Sequence, residues 1–213
     1  MPALLDVLFS MMLGLTIILI ILNANMIVSE GWFSYNAEMM VQQMLISTAT
    51  LIEGEFRNMG FGVEKDITTN AGIIIRAEDT RIIFATVLDP EDWSLNDQSN
   101  VSQVEYRLGD PEDVSFQNEM IRPLYRSVDD GQEHIIGMLT EFQLRYFNRE
   151  GEELSGPMDL PGNVHLIEIE MEVQNPHALY RNPQDIGEGD PDAFYATSRW
   201  RQTRLSSKNF KTR

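Results

Sequence analysis

Three histidines and two acidic segments are the parts of this chain whose residue types could hold a metal ion. His134, His165 and His177 are far apart and form no HExxH pattern, and strand alternation would turn His165 away from the nearby Glu168 and Glu170. The acidic segments could offer oxygen ligands to calcium, but neither has EF-hand spacing. Their carboxylates are Asp89, Glu91, Asp92 and Asp97 in the first, and Asp185, Glu188, Asp190 and Asp192 in the second. We therefore expect solvated loops, with no metal and no cofactor.

The chain also offers no pattern that predicts catalysis. It has no cysteine, which excludes thiol chemistry, disulfides and zinc–thiolate sites. The sequence Gly60-Phe61-Gly62 lacks the strand–turn–helix context of a phosphate loop, and no nucleophile-elbow motif is present. We predict that the protein is not an enzyme.

One carboxylate, Asp6, stands near the start of an apolar run and is costly there unless it stays at an interface or meets a cation. The run covers residues 3–28, ALLDVLFSMMLGLTIILIILNANMIV, and residues 7–22 carry no charge. It is long enough to cross a bilayer, which takes about 20 apolar residues as a helix. Ser10 and Gly14 are small residues on one face, where a second helix could approach closely.

The charge balance argues against nucleic acid as a partner. The 213 residues carry 33 acidic and 16 basic side chains, a net charge of -17, so phosphates would be repelled. No Lys or Arg precedes Arg57, so the positive-inside rule gives no orientation for the apolar run.

An amphipathic helix is predicted to continue from the apolar run to about Met59. Apolar or neutral residues recur at steps of three and four and form one stripe, while Glu38, Gln42, Glu53 and Arg57 lie off it. The stripe consists of Val41, Leu45, Thr48, Ile52, Phe56 and Met59. Trp32 and Tyr35, between the two halves, are residue types typical of a membrane interface. We divide the chain into a membrane helix at 1–29, its amphipathic continuation at 30–62, and a globular domain at 63–213.

Short alternating segments predict an antiparallel sheet in that globular domain. A hairpin is expected from 72–76 and 81–85, with strands at 101–108, 137–148 and 164–173. Residues 120–126 are predicted to be an edge strand or a bulge because of Pro123. In 137–148, Leu139 is expected on the same face as Glu141, opposite Phe142 and Leu144.

The basic C-terminal tail is the last feature from which we predict a site. From Arg199 onward the chain holds six cations and no acid. They are Arg199, Arg201, Arg204, Lys208, Lys211 and Arg213. They either protect an edge strand from aggregation, or dock electrostatically onto an acidic face of the same chain or a neighbour. The face carrying Glu168, Glu170 and Glu172 must be solvated or matched by cations, which the tail could supply.

The order of these features resembles that of type IV pilins and of the pseudopilins of type II secretion. The resemblance is closest to minor subunits of the pseudopilin J and PilW-like kind. It rests on residues 51–62 (LIEGEFRNMGFG) at the helix end, 81–84 (RIIF), 104–108 (VEYRL) followed by 121–126 (IRPLYR), and 142–151 (FQLRYFNREG).

The resemblance implies an α+β fold in which the long helix, half in the membrane and half amphipathic, packs on an antiparallel sheet. It implies a structural subunit of a type IV pilus or type II secretion filament or tip complex. Its partners would be the bilayer and other pilin-like subunits, met through the N-terminal helix, with the C-terminal domain outside the cytoplasm. Asp6 would then stand where the family carries an acid that pairs with the terminal amine of a neighbouring subunit.

A different function class stays open on the sequence alone. A single-pass anchor could instead carry an extracytoplasmic binding or sensor domain whose acidic loops hold a ligand.

Overall fold

The protein combines one long helix with one antiparallel sheet. The structure, a computed structural model, describes residues 2–63, 72–89, 100–113, 120–154, 161–179 and 195–210. The helix, α1 (Pro2–Asn58), runs for 57 residues without interruption, or about 85 Å at ~1.5 Å per residue. The predicted continuation from the apolar run to the amphipathic stripe is therefore confirmed, and the architecture is α+β.

The C-terminal half of α1 is one-sided, as the stripe predicted. All six residues of that stripe are buried, and Ala37 and Ala49 join them on the same side. The one hydroxyl in the stripe, on Thr48, donates a 3.0 Å hydrogen bond to the carbonyl of Ile136. Gly137 follows, where an added Cβ would lie 3.1 Å from the Thr48 hydroxyl, so a glycine lets the strand approach the helix closely.

Eight strands of the described residues form a single antiparallel sheet. In chain order they are β1 (Ile74–Ala77), β2 (Arg81–Thr86), β3 (Ser102–Leu108), β4 (Arg122–Val128), β5 (His134–Phe147), β6 (Glu153–Leu154), β7 (Leu166–Leu179) and β8 (Tyr195–Leu205). Their spatial order is β1-β2-β3-β4-β5-β7-β8, with β6 paired to β5. Short 3-10 turns occupy Pro111–Asp113 and Pro161–Asn163.

The sheet curls so that the turn of its first hairpin contacts β5. The backbone N–H of Leu144 on β5 donates to the carbonyl of Asp79 at 2.7 Å, and the Tyr146 hydroxyl donates to the carbonyl of Glu78 at 2.8 Å. Both acceptors lie in the turn between β1 and β2. The curl encloses one hydrophobic core, which α1 covers.

Three aromatic rings mark the centre of that core. Phe56 of α1 meets Phe84 of β2 and Tyr106 of β3 edge-on, with ring centroids 5.4 and 5.5 Å apart. Edge-to-face pairs of this kind contribute roughly 0.5–1.5 kcal/mol each beyond their buried area.

One strand prediction was wrong because a β-bulge changes the alternation, and of the two alternatives predicted at Pro123, an edge strand or a bulge, only the bulge is found. Leu139 faces the core together with Phe142 and Leu144, since an irregularity in the β5–β7 register between Leu139 and Glu141 shifts the phase by one residue. Pro123 lies on an interior strand, between β3 and β5, and not at an edge. A bulge does occur beside it, where Leu124 pairs with Gly137 but Tyr125 pairs with Ile135.

The hairpin β1–β2 and the strand β3 agree with prediction, whereas β7 begins as predicted but continues to Leu179, past the predicted end at Val173. The buried face of β7 carries Ile167, Ile169, Met171 and Val173, and the opposite face carries the three glutamates.

Candidate assembly surface

The first half of α1 is an apolar surface that no other part of the described chain covers. Large apolar side chains from Leu5 to Val28 are exposed, most of them by more than half their area. Of the described helices, α1 alone is long and apolar enough to cross a membrane, and its most apolar window is not buried at all. Exposed apolar surface on this scale marks a site of contact with lipid or with other protein.

Asp6, Ser10 and Gly14 follow one line along this surface, because they are spaced by four residues on a helix. The Ser10 hydroxyl is satisfied within the helix: it donates to the carbonyl of Asp6 at 2.7 Å and to that of Val7 at 3.1 Å. Nothing lies within 4 Å of a Cβ added at Gly14, so the position is open. Among the ion pairs of the described residues, none includes Asp6.

A partly buried ionic network joins the helix to the sheet. Arg126 of β4 donates to the Glu55 carboxylate from Nη2 at 2.7 Å and from Nε at 3.1 Å, and the Tyr106 hydroxyl donates to the same carboxylate. Burial raises the pKa of Tyr106 far above its ordinary value, and the negative charge of Glu55 raises it further. Glu55 precedes Phe56, so this network and the aromatic cluster lie on the same turn of α1.

The C-terminal segment holds the end of the helix. The Ser207 hydroxyl donates to the carbonyl of Met59 at 2.6 Å, and the Lys208 backbone N–H donates to the carbonyl of Arg57 at 3.1 Å. The Asn209 amide reaches the carbonyls of Asn58 and Met59, each at 3.2 Å. These donors satisfy carbonyls that have no partner within the helix. Gly60 ends α1 with φ of +76°, the left-handed conformation typical of a helix C-terminus.

Two of the tail cations contact acidic groups of their own chain. Arg201 meets Glu168 at 2.6 Å, and Arg199 bridges Glu170 at 2.9 Å and Glu141 at 2.8 Å. Arg145 of β5 lies on the other side of Glu168, at 3.3 Å. The strand that carries Arg199 and Arg201, β8, is also an edge strand, so these two cations lie at a sheet edge and against the acidic face at once.

The structure describes the remaining tail cations only in part. Lys208 is exposed and takes part through its backbone. The side chain of Arg204, and Lys211 and Arg213 as a whole, lie outside the described residues.

Those candidate metal ligands that the structure describes do not come together. Among the described residues, no group of three or more His, Cys, Asp or Glu side chains is arranged to hold a metal ion. The ring of His165 lies 3.1 Å from the carbonyl of Asn163. The second acidic segment and most of the first lie outside the described residues.

Sequence reasoning missed the network around Glu55, although a signal was present. Glu55 lies three residues after Ile52 and four before Met59, which places it at the border of the buried stripe. A carboxylate in that position predicts a partner on the sheet, but the sequence does not say which.

Comparison with known proteins identifies no relative of this chain. No protein-family model matches the chain, and no curated protein or solved structure is significantly similar to it.

Proposed function

We propose that the protein is a structural subunit of the pilin-like kind, anchored in a membrane by the first half of α1. It assembles through that helix with other subunits into a filament or a tip complex. Its globular domain then lies outside the cytoplasm.

The observation that carries the proposal is the continuity of α1. One helix leads from a wholly exposed apolar half directly into a half buried against the sheet. A simple anchor needs only the apolar half and a flexible connection. Here the helix is fixed to its domain by the aromatic cluster, by the Glu55–Arg126 pair and by the C-terminal segment. Such an arrangement transmits the position of the helix to the domain, which is what a repeating assembly requires.

The Asp6 carboxylate, in the apolar half of α1, would be stabilised by a cationic partner. A carboxylate at the end of a membrane helix is costly when it has no partner, whereas a cation supplied by a neighbouring subunit would offset that cost. The resemblance to pilins names such a cation, the terminal amine of the neighbour. Ser10 and Gly14 lie on the same line as Asp6, so an approaching helix would meet small residues beside the carboxylate.

The test compares two carboxylates of the same helix in the full-length chain. Asp6→Ala should reduce co-purification with other subunits that carry an apolar N-terminal helix, while circular dichroism shows the sheet intact. Glu30→Ala, at the far end of the charge-free run, should leave co-purification unchanged. Equal co-purification of both variants and the unmodified chain would remove the role assigned to Asp6.

A further inference from the structure

Three exposed aromatic residues lie on α1 at the level where the domain begins. Trp32, Phe33 and Tyr35 are 63%, 73% and 58% exposed, respectively. Successive helix residues are about 100° apart, so Trp32 and Tyr35, three residues apart, share one face, and all three rings lie within roughly 160° of the helix circumference. The remaining side holds Ser34, which is half-buried, and Ala37, which is buried. We call Trp32, Phe33 and Tyr35 the aromatic collar.

The collar lies at the boundary of the charge-free run. Residues 7–29 carry no charge, and Glu30 follows them. That run measures roughly 34 Å as a helix, at ~1.5 Å per residue. It matches a hydrocarbon core of about 30 Å, with a small tilt taking up the excess.

The chemistry of the collar favours a lipid surface over a second helix as its occupant. The rings occupy the side of α1 that faces away from the domain, at the end of the charge-free run, which is where the headgroup region of a bilayer meets a membrane helix. Indole and phenol rings combine an apolar body with a polar group, which suits the boundary between hydrocarbon and water. In the described part of the chain, neither the Trp32 N–H nor the Tyr35 hydroxyl is involved in a hydrogen bond, so both are available to headgroups and water.

We propose that the aromatic collar lies in the headgroup region of a bilayer and sets the depth of α1. The inference rests on the membrane anchoring in the proposed function and deepens it. The globular domain then sits directly on the bilayer surface, since burial of the helix begins at Ala37, two residues after Tyr35. Glu30 lies four residues before Ser34 and seven before Ala37, so it is on the domain side, away from Trp32 and Tyr35.

The test measures the depth of Trp32 in phospholipid vesicles that contain the full-length chain. The other two tryptophans are replaced, Trp93→Phe and Trp200→Phe, and circular dichroism checks that the sheet is retained. Fluorescence is then recorded in vesicles whose lipids carry bromine either near the glycerol end or near the methyl end of the acyl chain. A matched control in the same background combines Trp32→Phe with Ile20→Trp, which puts the probe near mid-membrane.

The collar predicts a greater loss of Trp32 fluorescence with bromine near the glycerol end, and the reverse order for the control. A greater loss with bromine near the methyl end would overturn the collar but leave the anchor standing. No loss for Trp32, with a loss for the control, would place the collar above the membrane and also overturn it. No loss for either probe would contradict the anchor, and with it the proposed function.

Discussion

Arg126 on β4 and Glu55 on α1 form the ion pair that fixes the long helix to the middle of the sheet, with Nη2 and Oε1 2.7 Å apart. Both side chains are less than one-fifth exposed, so solvent screens the pair weakly. Tyr106 donates to the same carboxylate from within the core. Glu55 therefore accepts hydrogen bonds from one charged and one neutral donor of the sheet. Separating α1 from the sheet would break both interactions.

Removing one partner of this pair should destabilise the domain strongly. We expect Arg126→Ala to lower the free energy of unfolding by roughly 2–4 kcal/mol, because it leaves the Glu55 charge partly buried without its cation. Urea unfolding of the full-length chain in detergent, followed by circular dichroism of the sheet, gives the value. Arg76→Ala is the matched control: it breaks the exposed pair with Glu78 and should cost less than about 1 kcal/mol. Similar losses for both variants would contradict the role given to Glu55.

The buried tyrosines should make the domain sensitive to alkali. Burial raises the pKa of Tyr106 and of Tyr146, so the folded protein holds these protons more tightly than the unfolded chain does. The unfolded tyrosine loses its proton above pH ~10, so the free energy of unfolding should fall above that pH by up to about 1.4 kcal/mol per pH unit for each tyrosine.

Tyrosine-to-phenylalanine variants test whether these two residues cause the fall in the free energy of unfolding at alkaline pH. Tyr106→Phe and Tyr146→Phe should each remove one share of it, and the double variant should remove both, as measured by urea unfolding at a series of alkaline pH values. A double variant that keeps the slope of the unmodified protein would show that other groups cause it.

The C-terminal segment should contribute measurably through a single hydroxyl. Ser207→Ala removes the 2.6 Å hydrogen bond to the carbonyl of Met59, which keeps only the 3.2 Å bond from Asn209, and it also removes the acceptor of the Asn209 backbone N–H. We expect a cost of roughly 0.5–1.5 kcal/mol. Its neighbour provides the control, since Ser206 is exposed and Ser206→Ala should change the free energy of unfolding by less than about 0.5 kcal/mol. Equal effects in urea unfolding would mean that the segment does not hold the helix end.

Local patterns predicted the elements of this fold better than its long-range contacts. The buried stripe of α1 follows from its own spacing, and the face of β7 follows from strict alternation, so both were predictable. The phase of Leu139 was not, because the bulge that turns it inward depends on pairing with β7. Pro123 suggested either an edge strand or a bulge, and only the strand pairing shows an interior strand beside a bulge on β5.

The candidate site divides in the same way. Asp6, Ser10 and Gly14 could be selected because a charge and two small residues stand out in an apolar run. The contacts of Arg199 and Arg201 follow from a general need for cations opposite Glu168 and Glu170. The choice of Arg126 for Glu55, and of Ser207 for the helix end, depends on residues 71 and 148 positions away from their partners. No local pattern contains that information.

The central claim is that the Asp6–Ser10–Gly14 side of α1 meets another subunit inside the membrane. Photo-crosslinking in native membranes tests it most directly, with a photoreactive residue placed at Ser10 or, two residues beyond Gly14 and on a different side, at Thr16. We predict discrete adducts at Ser10 with chains that carry their own apolar N-terminal helix, and mainly lipid adducts at Thr16. Lipid adducts alone at both positions would contradict the account.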